Sequence, residues 1–135
     1  MLRTLDISTS GLVAQRQRMD TIAGNIANVN TTRDADGKAS PFQRRLVALS
    51  ASTKPTSVGA VGVESQVELD EQTPMRDVYQ PDHPDADKAG YVHFPNVNLT
   101  TEFVNAIEAS RAYDANVNTI DITKGFFTET LKILA

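Results

Sequence analysis

The chain has 135 residues, of which 40% are hydrophobic and 22% charged, with a net charge of −4 and no cysteine. This length predicts one domain, or a small domain with extensions, and the hydrophobic content argues against wholesale disorder. The acidic balance argues against binding to nucleic acid or to anionic membranes, and the absence of cysteine excludes disulfides, thiolate zinc sites and cysteine nucleophiles.

The distribution of proline divides the chain into three segments. All six prolines lie between residues 41 and 95. Because proline interrupts helices, both ends permit helices and the valine-rich middle favours strands. We therefore expect an amino-terminal helix in residues 1–33, a mostly-β middle domain in residues 34–98 and a carboxyl-terminal helix in residues 99–135. The start, MLRTLDISTSG, has no apolar run behind its single arginine, so no cleavable signal peptide is expected.

Apolar residues near the amino end repeat every seven positions, which is the spacing of a helix that packs along a seam. One series is Leu5, Leu12, Met19 and Ile26, and the interleaved series is Ser8, Gln15, Ile22 and Val29. The pattern predicts a helix from Arg3 to Val29, roughly 40 Å long.

The segment GNIANVN, residues 24–30, places poor helix formers near the end of this predicted helix. A polar stripe runs through it at spacings of four, three and four: Thr21, Asn25, Asn28 and Thr32. The stripe is either a solvated face, with Asn28 or Asn30 ending the helix in the left-handed conformation, or a packing face whose amides bond across subunits. Spacing alone leaves both interpretations open.

The middle contains one strongly alternating stretch, VGVESQVELD, at residues 61–70. Its apolar side chains (Val61, Val63, Val67 and Leu69) all point to one side, so the stretch predicts a strand with one buried and one wet face. Weaker strand candidates are Leu46–Ser50, Met75–Tyr79 and Gly90–Phe94.

Two acidic loops resemble parts of metal sites. DHPDAD contains Asp82, His83, Asp85 and Asp87, but its prolines hold it extended and no bidentate glutamate follows at EF-hand spacing. DADGKAS, at residues 34–40, lacks two of the anionic ligands of a calcium loop. We interpret both as turns. Neither His83 nor His93 accompanies a nucleophile-elbow motif, and no phosphate-binding glycine loop is present, so we expect no catalytic, metal or cofactor site.

The carboxyl end carries a second pair of seven-residue series. They are Ala106, Tyr113, Ile120, Phe127 and Leu134, and Phe103, Ser110, Val117, Lys124 and Leu131. They predict a helix from Thr100 to Leu134, about 50 Å long, with Gly125 as its weak point. The predicted fold class is α+β: two long terminal helices that pair as a coiled coil, and a small, mostly-β middle domain.

Several motifs carry a resemblance to a known family. STSGLVAQRQRMDTIAGNIANVNTT closely resembles the amino-terminal signature of the bacterial flagellar rod, hook and related axial proteins. PDHPDAD, the GYV of residues 90–92 and the PNVN of residues 95–98 resemble the proximal-rod type of that family, and EASRAYDANV resembles its carboxyl end. The resemblance covers nearly the whole chain in order. One departure is Phe103, where the family more usually has methionine.

The resemblance implies a structural subunit of the proximal rod of the flagellar basal body, without catalysis. Such a subunit polymerises through its terminal helices into a torque-transmitting drive shaft, in a helical assembly with copies of itself and other axial proteins. The resemblance also implies a periplasmic location, reached through the flagellar type III export apparatus without a cleavable signal peptide. Nucleic acid, small-molecule substrates and cofactors are not expected.

Within such a tube of helices, the polar residues would prevent slippage. A slipped neighbour would leave the amides of Asn25 and Asn28 buried without partners, at about 1–3 kcal/mol each. Gly24 would let another helix approach closely. The expected assembly interface combines the seam and signature positions Leu5, Ser10, Leu12, Ala14, Met19, Ile22, Asn25, Ile26, Asn28, Val29, Phe103, Ala106, Ser110, Tyr113, Asn116, Val117, Ile120, Phe127 and Leu131.

Two alternatives differ in class: a coiled-coil adaptor that forms a discrete small oligomer, and a metal-dependent hydrolase built on the Asp82–Asp87 loop. The diluted helix seams also predict that both ends of the monomer are largely unfolded before assembly. Proteolysis of the monomer should then leave a fragment close to residues 40–98.

Overall fold

A computed structural model describes residues 2–55 and 59–134. Two long helices flank four short strands. In chain order the elements are α1 (Leu2–Ala27), β1 (Arg45–Ala51), β2 (Val63–Leu69), β3 (Arg76–Tyr79), β4 (Tyr91–Phe94) and α2 (Leu99–Leu134). The predicted α+β class and the four predicted strand positions are confirmed, with boundaries that differ by one or two residues. The pairing of the helices as a coiled coil stays a prediction.

α1 ends and α2 begins close to the predicted positions, and different hydrogen bonds mark the two boundaries. α1 stops at Ala27, and the N–H of Asn28 still bonds to the carbonyl of Gly24 at 3.2 Å. No residue other than glycine has a positive φ in the described part of the chain, so the left-handed asparagine expected by one interpretation is wrong. Asn98 precedes α2, and its side chain accepts the N–H of Thr101 at 3.2 Å, which is an N-cap. No described helix is long and apolar enough to span a membrane.

The strands form two separate two-stranded sheets in the described residues. β3 and β4 are antiparallel, with Arg76 opposite Phe94 and Tyr79 opposite Tyr91. β1 and β2 are bracketed by the bonds Asp70 N–H to Arg44 C=O, 2.9 Å, and Ser52 N–H to Gly62 C=O, 2.8 Å, which show that they are antiparallel as well.

The face predicted for the alternating strand is only partly correct. Val63 and Ser65 are half-buried, whereas Val61, Val67 and Leu69 are exposed. A two-stranded sheet has little of the chain to cover it, so its apolar positions stay in contact with solvent.

The chain forms two compact units, each of which draws on all three segments defined from the sequence. Unit 1 comprises the described parts of Met1–Met19, Val47–Gln66 and Ala106–Ala135, and unit 2 comprises Asp20–Leu46 and Val67–Asn105. Each unit therefore contains a piece of both helices. Independent folding of residues 34–98 stays a prediction.

Candidate assembly interface

In unit 1, α1 and α2 lie antiparallel at close range. Arg18 bonds to Glu108 at 3.0 Å, and nearer the start of α1 a methyl group placed on Gly11 would lie 3.0 Å from the amide of Asn116. Glycine at position 11 thus allows the helices to approach each other. Nearer still to the amino end, the helices border a cavity of about 340 Å³ lined by Leu2, Leu5, Thr123, Lys124, Phe127 and Thr128.

Polar side chains of α1 bond to the part of the β1–β2 hairpin that lies in unit 1. The hydroxyl of Ser10 accepts the N–H of Val63 at 3.0 Å and donates to the carbonyl of Ile7 at 2.7 Å. The hydroxyl of Ser65 donates to the side chain of Gln17. A methyl group on Gly62 would lie 2.7 Å from the Ser10 oxygen, so the hairpin approaches this close only because residue 62 is glycine.

In unit 2, Asn25 is 1% exposed and bonds entirely within the chain. Its Nδ2 donates to the carbonyl of Arg45 at 2.8 Å and to the Oε2 of Glu102 at 3.1 Å, and its Oδ1 accepts the N–H of Arg45 at 2.9 Å. The amide therefore joins the last turns of α1 to the start of β1 and the first turn of α2.

Arg44 forms ion pairs with two carboxylates, one of which also bonds to Asn25. Its Nε and Nη2 donate to the Oε1 of Glu102 at 2.8 and 2.6 Å, and its Nη1 reaches the Oδ2 of Asp70 at 3.3 Å. Burial alone would raise the pKa of Asp70, but hydrogen bonds from the side chain and N–H of Thr73, and then from Arg44, lower the pKa below its usual 3.8. We name Asn25, Arg44, Arg45, Asp70 and Glu102 the Asn25 cluster.

The charged members of this cluster were missed by sequence reasoning. Arg44 and Glu102 are 58 positions apart, and Asn25 and Glu102 are 77 apart. No periodic pattern connects such positions. Asn25 itself was identified, but the amide expected to bond to a neighbouring subunit is used inside the chain.

The acidic loop between β3 and β4 acts as a structural anchor. Asp85 accepts the hydroxyl of Thr32 at 2.8 Å and the Nε of Arg33 at 2.7 Å. The hydroxyl of Thr32 and then the guanidinium of Arg33 lower the pKa of Asp85, so it is ionised at neutral pH. Asp87 accepts the N–H groups of Ala89 and Tyr91 at 2.8 and 2.9 Å. These contacts support the interpretation of the loop as a turn.

The DADGKAS segment is also a tight turn. The side chain of Asp34 accepts the N–H groups of Asp36 and Lys38 at 3.0 and 2.9 Å, and Gly37 has a φ of 77°. The side chain that resembled a calcium ligand therefore closes the turn.

Comparison with known proteins identifies the family. Residues 5–33 match the family described as flagella basal body rod protein, and residues 88–126 match the carboxyl-terminal family of flagellar basal body rod FlgEFG proteins. A flagellar basal-body rod protein FlgC from Yersinia enterocolitica is 40% identical, over 98% of this chain and 97% of the relative. The chain belongs to the flagellar basal-body rod protein family, FlgC type. The sequence-based recognition is confirmed.

More distant FlgC relatives of this rod-family chain agree along the whole length. The FlgC protein of Borreliella burgdorferi is 37% identical over 99% of this chain and 97% of its own. That of Bacillus subtilis is 34% identical over 96% and 95%. The family is one of structural rod proteins, so the chain is not an enzyme and the hydrolase alternative is wrong.

The structure places the predicted interface positions of this rod-family chain in two groups. Those on α1 and in the turn that follows it are all buried or half-buried within the chain. On α2, the half-buried positions are Ala106, Tyr113, Asn116, Val117 and Ile120, and the exposed ones are Phe103, Ser110, Phe127 and Leu131. The role of each in contacts between subunits stays a prediction.

A further row of apolar side chains on α2 was missed by the seven-residue series. Ile122, Phe126 and Ile133 are 60%, 65% and 84% exposed. The half-buried Thr123 lines the cavity that α2 shares with α1, so it marks the side of α2 that faces α1. Successive residues of a helix are about 100° apart, so the row that begins at Ile122 lies about 100° around α2 from that side. Spacings of four and seven residues connect its members, and this signal could have been found in the sequence.

Proposed function

We propose that this chain is a structural subunit of the proximal rod and that it polymerises through the surfaces of its two helices. Its neighbours would be copies of itself and other rod and axial proteins. It would reach a periplasmic location through the flagellar type III export apparatus, without a cleavable signal peptide. The FlgC names of the relatives, and their agreement with nearly the whole chain, support this proposal.

The observation that carries the proposal is the exposed row of α2. Within unit 1, α1 covers one side of α2 near Gly11 and Asn116. The row of Ile122, Phe126 and Ile133 lies on another side and is exposed to solvent. Large apolar side chains exposed along one side of a helix mark an interaction site. α2 therefore needs a second helical neighbour, which a polymer of such subunits provides.

A pair of charge substitutions tests this role. Ile122→Asp and Phe126→Asp would each place a charge in the contact with a neighbour, where an unpaired charge is strongly unfavourable. In cells whose own copy is deleted, we expect either variant to reduce the protein in isolated basal bodies by at least tenfold and to abolish swimming.

Asp121→Lys is the matched control, because Asp121 is also exposed on α2 but lies about 100° around the helix from Ile122, off the apolar row. It should support normal swimming. The purified variants should keep the circular dichroism spectrum of the unsubstituted protein, which would show that the defect lies in assembly. Normal amounts of Ile122→Asp and Phe126→Asp protein in basal bodies would contradict the proposal.

A further inference from the structure

The hairpin of β1 and β2 has open edges whose backbone groups can be assigned from four hydrogen bonds. The bonds from Asp70 to Arg44 and from Ser52 to Gly62 join the two strands. Both backbone groups of Arg45 instead bond to Asn25. Even-numbered residues therefore turn their N–H and C=O groups toward the partner strand, and odd-numbered residues turn theirs outward.

Side chains of α1 bond to the first outward-facing backbone groups of each strand. In unit 2 the side chain of Asn25 covers Arg45 at the start of β1, and in unit 1 the hydroxyl of Ser10 accepts the N–H of Val63 at the start of β2. Beyond these positions the outward rows continue along a sheet that has two strands in the described chain. We name Val47, Leu49 and Ala51 the β1 edge, and Val67 and Leu69 the β2 edge.

The β1 edge lacks the features by which proteins usually protect an open strand. From Leu46 to Ala51 the sequence LVALSA contains no charge, proline or glycine. Leu49 is 42% exposed, and Val67 and Leu69 on the β2 edge are 45% and 51% exposed. An uncharged, exposed and apolar edge is a template for pairing with another strand.

Charge selects which edge pairs with which. Arg44 and Asp70 bond to each other inside the Asn25 cluster, so they do not select a partner. Of the remaining charges, residues 37–63 contain the cations Lys38, Arg45 and Lys54 and no acid, whereas residues 64–75 contain Glu64, Glu68 and Glu71 and no cation. Two β1 edges would bring like charges together, as would two β2 edges. A β1 edge and a β2 edge bring opposite charges together.

We propose that the β1 edge of one copy pairs with the β2 edge of a second copy by antiparallel strand addition. This deepens the proposed function and rests on it. A rotation about an axis parallel to the strands keeps their directions, so β1 of one copy meets β2 of the next in opposite directions, as the two strands run within one chain. Such a contact joins two different surfaces, so it generates a ring or an open helix, as a rod requires, and not a closed dimer.

Because the chain contains no cysteine, single introduced thiols report this contact directly. Cells would produce two distinguishably tagged chains, one with Leu49→Cys and one with Val67→Cys. Neither chain alone can form an internal disulfide. After mild oxidation of isolated basal bodies, we expect the mixed disulfide dimer to exceed either homodimer by at least tenfold. If the β1 edge is shifted along the β2 edge by two residues in either direction, Val47→Cys or Ala51→Cys, used in place of Leu49→Cys, should form the mixed disulfide instead.

A homodimer of Leu49→Cys chains as abundant as the mixed dimer would overturn the proposal, as would the absence of the mixed dimer in all three pairings. Those outcomes leave the proposed function intact if both chains are present in basal bodies. If the unsubstituted chain is absent from basal bodies, the proposed function fails as well.

A backbone substitution provides a second test. Proline at position 49 removes an outward N–H that the hairpin does not use, and proline is tolerated on edge strands in that orientation. We expect Leu49→Pro to keep the circular dichroism spectrum of the monomer but to reduce incorporation into basal bodies by at least tenfold. Leu49→Thr, which keeps the N–H, should incorporate normally. Normal incorporation of Leu49→Pro would overturn the proposal.

Discussion

The side chain of Asn25 makes hydrogen bonds that no apolar side chain could make. A carboxamide presents a donor and an acceptor side by side, so it can pair with the N–H and C=O of a single backbone residue as a neighbouring strand would. Asn25 pairs with Arg45 in this way and uses its remaining N–H for Glu102. Poor helix propensity at this position is offset by three hydrogen bonds that connect α1, β1 and α2.

A comparison of two asparagines tests this assignment. Asn25→Leu would remove this partner from the backbone N–H and C=O of Arg45 and from one oxygen of the buried Glu102, so we expect the free energy of unfolding to fall by about 2–4 kcal/mol. Asn28 is half-buried and bonds within its own turn, to Gly24 and Thr31. Asn28→Leu should therefore cost about 1 kcal/mol or less. Urea unfolding followed by circular dichroism measures both, and equal losses would contradict the assignment.

At the level of residues, the sequence could show that Asn25 was unusual but not what it binds. Its position on a helix followed from local periodicity. Its partners lie 20 and 77 positions away and are charged or backbone groups, which carry no periodic signal. The structure gives Asn25 a role within the chain, and the expectation that it fixes the register between subunits stays a prediction.

At the scale of elements, the helices and strands could be predicted because their signals are local. The seven-residue series identified α1 and α2, and the clustering of proline identified the region of short strands. The buried face of β2 could not be predicted. An alternating pattern shows which side chains share a face, but it does not show how much of that face the rest of the chain covers, and Val61, Val67 and Leu69 stay exposed.

Gly24, in α1, and Gly62, just before β2, should respond oppositely to substitution by alanine. Nothing lies within 4 Å of a methyl group on Gly24, so Gly24→Ala should stabilise the monomer by about 1 kcal/mol through helix propensity. Gly62→Ala would place a methyl group 2.7 Å from the Ser10 oxygen and should destabilise the monomer. Urea unfolding separates the two.

Gly24→Ala also tests the expected close approach of another helix at that position. If a neighbour packs there in the rod, the stabilised variant should still be depleted from basal bodies. If the variant assembles and the cells swim normally, Gly24 only lowers the helix propensity near the end of α1 and has no role between subunits.

At the scale of the whole molecule, little apolar surface is buried for so many residues. The buried hydrophobic residues of the described chain include Ala14, Ile22, Ala60, Val92, Val97 and Ala109, which are mostly small. Many large apolar side chains of α2 are exposed instead. Because burial of apolar surface is the dominant favourable contribution to folding, the monomer should be marginally stable, and assembly should supply the missing contacts.

This imbalance predicts which part of the monomer is ordered. The Asn25 cluster connects the end of α1 and the start of α2 to unit 2, whereas α2 beyond Ile122 has mostly exposed side chains. Limited proteolysis of the purified monomer should therefore cleave first within residues 122–134 and leave a fragment that retains both Asn25 and Glu102.

In hydrogen exchange, the amides around these two residues should be protected at least a hundredfold more than those after Ile122, and assembly into rods should remove the difference. Mass spectrometry reads both results. A resistant fragment confined to residues 40–98 would instead support the expectation drawn from the sequence, that both helices are unfolded before assembly, and would show that the Asn25 cluster forms only in the rod.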